Sequence, residues 1–238
     1  MLMRRPSQRG FSLVELVVAV AIVAVLLALA APSYRAWIQN TKIRSTTEAI
    51  LNGIQMAKSE AVRRNFTVRF QLVSTLDNSC VLGAGGSTAS FPTWVISRDD
   101  PTSLCGTAPI DEAADLTNPL AVAAPGIVRV RSSAEGSAGV VVAAGTGVGA
   151  GVPFFRFNGL GRITAGDLTS NLVICTGVEE GTASTPVGIT VVSGVTKCVT
   201  SPVERRMQVT VTPGGEIRMC DPAYTSTGLT ATDPQRCF

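Results

Sequence analysis

A chain of 238 residues, 45% hydrophobic and 16% charged, has room for one sizeable domain besides an anchor, and its length does not require two. It contains no histidine, which removes His-dependent catalytic triads and the common zinc sites, and no Ser-Lys or paired-carboxylate arrangement stands out, so neither an enzyme nor a cofactor or metal is expected. The net charge of +3 resides in residues 1–10, which hold three arginines and no acid; the part from residue 65 onward carries 11 basic and 14 acidic residues, which argues against a general binder of polyanions.

The first element is the stretch Arg9 to Pro32, RGFSLVELVVAVAIVAVLLALAAP. From Phe11 to Ala31 it offers 21 residues with one charge, and a helix of that length spans the roughly 30 Å hydrocarbon core of a bilayer. Arg4, Arg5 and Arg9 precede it and hold the amino end in the cytoplasm by the positive-inside bias, so the rest of the chain lies outside. A secretory signal fits the same outline, with Ala28-Leu29-Ala30 as an acceptable small-residue cleavage site. Glu15 separates the readings: a carboxylate in an apolar segment is costly and signals a partner or a function, for which a disposable signal has no use.

The residues GFSLVE, followed by an unbroken apolar run to Pro32, resemble the class III signal of type IV pilins and type II secretion pseudopilins. The resemblance implies cleavage between Gly10 and Phe11 by a membrane prepilin peptidase/N-methyltransferase and N-methylation of Phe11. Glu15 then becomes the fifth residue of the mature chain. A buried carboxylate is tolerable when paired, and the amine of a neighbouring subunit's first residue supplies the cation as subunits stack, setting their axial register. The implied layout is a leader over 1–10, a long helix over 11–64 whose 11–31 part crosses the inner membrane once, and a periplasmic β-rich domain over 65–238. The implied partners are other pilins or pseudopilins, met through the N-terminal helix.

Pro32 need not end the helix; where neighbours supply packing it acts as a kink. Tyr34, Trp37 and Ile38 form a collar suited to the membrane interface. Apolar residues then recur at Ile43, Ile50, Ile54, Ala57 and Ala61 with helical spacing, opposite Lys42, Arg44, Glu48, Lys58 and Arg63. From Phe11 to Arg64 the helix measures about 80 Å, with Gly53 a weak point worth roughly 1 kcal/mol against Ala. The stretch AKSEAVRRNFTVRFQL ends the helix at Asn65. It then enters a strand with Thr67, Arg69 and Gln71 on one side and Val68, Phe70 and Leu72 on the other. This run also resembles the GspH/FimT family of minor pilins and pseudopilins, with Lys58 where that family usually has Arg.

Residues 73–126 read as an insertion loop, with a short strand over 91–97. Asp99, Asp100, Asp111, Glu112 and Asp115 are read as solvated turn acids rather than a calcium site, since no EF-hand spacing is present. Strands are expected at 127–131, with Arg129 and Arg131 outward, and at 140–143. The Gly-rich 143–151 reads as a second insertion loop. Further strands are expected at 154–157, 172–175 and 189–192, with a terminal hairpin of 206–212 and 216–220 around Pro213-Gly214-Gly215. Phe157-Asn158-Gly159 and TPGGEIRMC resemble sheet motifs of the same family. The implied fold is α+β and pilin-like: a long N-terminal helix packed on antiparallel β-sheet with a C-terminal hairpin.

Six cysteines, Cys80, Cys105, Cys175, Cys198, Cys220 and Cys237, lie on the exported side of the apolar segment, where disulfides persist. Fifteen pairings are possible, of which the sequential one is the simplest. Zinc is the rival reading, disfavoured by the absence of His and of C-x-x-C.

The resemblance leaves several functions open. The main reading is a minor pilin or pseudopilin, assembled into a type IV pilus or a type II secretion pseudopilus and acting in filament initiation or at the tip. A second is protein H of the type II secretion system, in protein export. A third, of another class, is a DNA receptor, because some FimT-like minor pilins take up DNA through a C-terminal G-R-x-R motif. Here the corresponding residues are Gly215-Glu216-Ile217-Arg218, with an acid in place of the first Arg, which adds phosphate repulsion. Arg205, Arg206, Arg218 and Arg236 are the residues that would have to gather on one edge.

Overall fold

Ser12 starts the one helix of the described residues, α1 (Leu13–Arg64). Its side-chain Oγ accepts the Glu15 N–H at 3.2 Å and its carbonyl accepts the Leu16 N–H at 3.2 Å, the geometry of an N-cap. The computed structural model describes residues 11–83, 92–110, 124–147, 150–168, 170–178, 189–192, 195–198, 206–222 and 237. The chain divides into two units, Met1–Ile38 and Gln39–Phe238, and each is taken by itself.

In the first unit the residues from Leu13 to Leu29 are apolar apart from Glu15 and exposed on every side, and the helix is long and apolar enough to cross a membrane. Tyr34 and Trp37 stack with ring centroids 6.0 Å apart, both more than half exposed. Pro32 lies within the helical span.

In the second unit α1 turns the stripe Ile43, Ile50, Ile54, Ala57 and Ala61 fully inward. The helix closes with Asn65 at φ +49°, its N–H bonded to Val62 O, while Phe66 N–H reaches back to Ala61 O at 3.1 Å. These are the two bonds of a Schellman motif. Asn is one of the few residues other than Gly that takes the left-handed position it needs. Two antiparallel sheets carry the rest of the core. The first has the order β3-β2-β1-β6, with β1 (Val68–Val73), β2 (Thr93–Ser97), β3 (Ile127–Arg131) and β6 (Phe154–Phe157). The second has the order β11-β10-β7-β4-β5, with β4 (Val140–Gly147), β5 (Ala150–Gly151), β7 (Leu172–Val178), β10 (Met207–Val211) and β11 (Ile217–Cys220).

The helical stripe packs against both sheets in one cluster. Phe70, Leu72, Trp94, Phe155 and Phe157 come from the first sheet, and Val142, Ala144, Leu172, Ile174, Val209 and Val211 from the second. Phe70 sits 5.5 Å from Phe155 and 5.8 Å from Trp94, centroid to centroid. Fully burying each such side chain is worth about 1.5–3 kcal/mol.

Each sheet also has its outer face covered by a cysteine-bearing excursion. Over the first sheet, residues 74–83 and 98–110 carry Cys80 and Cys105, joined with Cα atoms 6.1 Å apart, and bury Val73, Val95 and Ile127 with them. Over the second, the hairpin β8 (Ile189–Val192) and β9 (Val195–Cys198) ties Cys198 to Cys175 of β7 at 5.5 Å, burying Ala143, Val173 and Ile189. A third bridge joins Cys220 at the end of β11 to Cys237, at 5.3 Å. The pairing is sequential.

This covering changes three sequence expectations. Strand β1 is buried on both faces rather than one, because Arg69 and Gln71 point under the segment that holds Asp100 and Thr102. The short strand expected over 91–97 is found as β2, and its place between β1 and β3 makes part of the 73–126 stretch a member of the sheet and not only an insertion. Likewise the Gly-rich 143–151 is not a plain loop: β4 continues to Gly147 and pairs with β5, Gly145 opposite Gly151 and Gly147 opposite Ala150. Glycine removes side chains from an edge without removing the backbone groups that pair.

Candidate functional site

The residues singled out for chemistry fall in two places, one at each end of α1. At the amino end, Glu15 stands at the third helical position behind the Ser12 cap. Ser12-Leu13-Val14-Glu15 has the S-x-x-E pattern of a capping box, a signal present in the sequence and not used in reading it. The position gives Glu15 a local electrostatic reason. It lies in the first turn, where the exposed N–H groups and the helix dipole favour negative charge by about 0.3–1 kcal/mol at exposed sites. Phe11 precedes the helix and is 84% exposed. Gly10 lies outside the described residues.

At the carboxyl end, three stretches distant in sequence meet: AKSEA of the helix, Phe157-Asn158-Gly159 after β6, and the Pro213-Gly214-Gly215 turn between β10 and β11. Asn158 organises the middle one, its Oδ1 accepting the N–H groups of Leu160 at 3.0 Å and Arg162 at 3.1 Å. Gly159 lies so close to the helix cap that a Cβ there would overlap Asn65. Gly215, at φ +82°, passes directly beneath the Gly161 carbonyl. Lys58 ties the helix to this turn by donating from Nζ to Gly215 O at 2.8 Å, and Ile163 N–H bonds Pro213 O at 3.2 Å. Beside them Glu60 accepts from Arg63 at 2.9 Å and Arg64 at 2.7 Å. Its partial burial alone would raise the carboxyl, but the two guanidinium groups hold it below the usual range. Lys58, Ser59, Val62, Arg63 and Ile217 line a shallow groove here. These contacts lock the fold.

The four-arginine edge needed for a nucleic-acid site does not take shape among the described residues. Arg206 is 3% exposed and Arg218 is engaged by Glu216 at 2.6 Å, while Arg205 and Arg236 lie outside the described residues. The acid that replaces the first Arg of the G-R-x-R pattern thus pairs with the second. Of the acidic residues weighed for calcium, Asp99 pairs with Arg98 at 2.7 Å and Asp100 with Arg69 at 3.2 Å, and Asp111, Glu112 and Asp115 are not described. Arg69 also lies 3.7 Å over the Phe154 ring. Asp100 therefore serves as the counter-ion of a buried arginine. Among the described residues no group of His, Cys, Asp or Glu is arranged to hold a metal.

The amino-terminal end matches the prokaryotic N-terminal methylation motif over residues 5–31. The family described as type II transport protein GspH matches residues 46–215, most of the chain. The chain belongs to the GspH family. Within that family it is a minor pilin or pseudopilin, carrying the processing motif ahead of a membrane-length helix and the α+β pilin architecture behind it. The family is one of structural subunits. Two crystal structures of the type IV minor pilin FimU of Pseudomonas aeruginosa strain PAO1 are similar to this GspH-family chain at 10% identity, with TM-scores of 0.42 and 0.40. They cover 80% and 77% of this chain and 97% of their own. No curated protein matches it.

Proposed function

We propose that this GspH-family subunit is cut between Gly10 and Phe11 by a prepilin peptidase, methylated on Phe11, and held by residues 11–31 in the bacterial inner membrane with its β-rich domain in the periplasm. From there it enters a type IV pilus or type II secretion pseudopilus, with Pro32 as the point where the rod bends and with a place at filament initiation or the tip. The observation that carries the reading is Glu15. It is the one charge between Phe11 and Ala31, set in the first turn of an apolar helix and within the methylation motif. A carboxylate there is matched by the new amino terminus of an adjacent subunit. The two cysteine-stapled excursions support a terminal place, because they enlarge the domain's outer faces in a way a closely repeated subunit would have to accommodate.

The test is made in cells assembling filaments. Glu15→Ala should be processed nearly as well as wild type yet be depleted from sheared filaments, and normal incorporation would remove the pairing argument. Gly10→Asp should leave the precursor uncut; a mature-length product from that variant would remove the leader assignment.

A further inference from the structure

The apolar run of the first unit ends at Ala31, and soon after it α1 presents Tyr34, Arg35 and Trp37. With Phe11–Ala31 filling the roughly 30 Å hydrocarbon layer, Tyr34 and Arg35 stand about 4.5 and 6 Å beyond it along the axis. The polar headgroup layer on each side is roughly 5–7 Å deep, so both residues lie within it. Helical side chains lean toward the amino end, which carries the Trp37 ring back onto Tyr34 in the observed stack. The two residues are 61% and 63% exposed, so both rings remain mostly open.

Arg35 lies between them in sequence and is exposed. Its guanidinium has no partner among the described residues, and the one acid of the unit, Glu15, sits about 30 Å back along the helix. Ser33, the first polar side chain after the run, donates to Ala30 O at 2.9 Å and is satisfied within the helix, which leaves Arg35 as the first group there that needs a counter-charge. The positive-inside bias gathers arginine on the cytoplasmic flank, so an unpaired one on the outer flank calls for an anion at that depth. From this we infer that Tyr34, Arg35 and Trp37 form a binding site for an anionic phospholipid, the guanidinium taking the phosphate oxygens and the rings lying against the glycerol region. A zwitterionic lipid carries its own ammonium beside the phosphate and competes poorly for Arg35. The inference rests on the membrane span given under Proposed function and adds which lipid borders the helix where it leaves the bilayer.

The experiment reconstitutes the full chain in vesicles of equal parts phosphatidylcholine and phosphatidylglycerol, with bromine on the upper acyl chain of one lipid or the other, and reads tryptophan quenching. The chain has two tryptophans, and Trp94 is 5% exposed within the domain core, so quenching by lipid reports Trp37 and the Trp37→Phe variant serves as the blank. Phosphatidylglycerol should be enriched about five-fold over phosphatidylcholine beside Trp37, the effect of one cation near an anionic surface. Arg35→Gln should bring that ratio close to one, and Arg35→Lys, which keeps the charge, should retain the preference. In chains that float with the vesicles, absent or equal quenching in wild type, or a preference that survives Arg35→Gln, would overturn the lipid site and leave the membrane anchor standing. Chains that do not float would overturn both.

Discussion

Gly53 shows how one residue changes meaning once its neighbours are known. By helix propensity alone, Gly53→Ala should gain roughly 1 kcal/mol. In the structure a Cβ at that position would stand 2.8 Å from the Trp94 ring, and Trp94 is itself 5% exposed and packed against Phe70, so it has no room to yield. Overpacking of this kind costs about 1–3 kcal/mol, and the variant should unfold at lower denaturant concentration than wild type. A rise in the midpoint would show that the indole shifts at no cost. Glu60 gives a pH prediction at the same scale. Its folded carboxyl is held below the ordinary range, so its stabilisation is complete above the unfolded pKa, about 4.3, and is lost as pH falls through the lower folded value. The unfolding midpoint should therefore drop on acidification below pH about 4. Glu60→Gln should be less stable near neutrality and show a shallower acid dependence. At this scale sequence was informative about charge and silent about space. Glu15 stood out because nothing around it was polar, whereas the need for Gly53 depends on a tryptophan 41 positions away in the chain.

Elements were legible in proportion to how far one face of each stays wet. The inward stripe of α1 could be read by period, and the terminal hairpin by its Pro-Gly-Gly turn. Strand β1 was readable as a strand, but its Arg69 and Gln71 looked solvated because alternation does not reveal the cover that Asp100 and Thr102 belong to. Strand β9, Val195–Cys198, was not expected at all: four residues including a lysine carry no strong pattern, and the bridge to Cys175 is what places them. That bridge closes 23 residues, and replacing Cys175 and Cys198 together by Ala should lower stability by about 3 kcal/mol. Amide exchange should then speed up in β8 and β9 more than in β10, since the hairpin covers the sheet without being part of it. The helix end offers a finer test. Asn65→Gly should be neutral or slightly stabilising in thermal unfolding, and Asn65→Val should lower stability by about 1–2 kcal/mol, because only the former accepts φ +49° without strain.

For the whole molecule, three of the described arginines are committed within the domain. Arg69 is buried against Phe154 and Asp100, Arg206 is buried, and Arg218 is held by Glu216. The fragment 39–238 should accordingly show no salt-sensitive retention of double-stranded DNA at micromolar concentrations, and Arg218→Glu should change nothing. Clear retention that is abolished by Arg218→Glu would restore the DNA-receptor reading. The three stretches that resembled one family in the sequence meet at one place, so the resemblance was tracking a tertiary junction before any coordinates revealed it. That junction also has a temporal side. Lys58 and Gly215 are separated by 157 residues, and Ile163 waits on Pro213, so the end of the helix is secured only after nearly nine-tenths of the chain has been made and delivered. A chain truncated before residue 213 keeps the residues of its apolar helix and first sheet but lacks the Lys58–Gly215 and Ile163–Pro213 bonds. The close of the helix end thus depends on contacts that the terminal hairpin supplies late in the sequence.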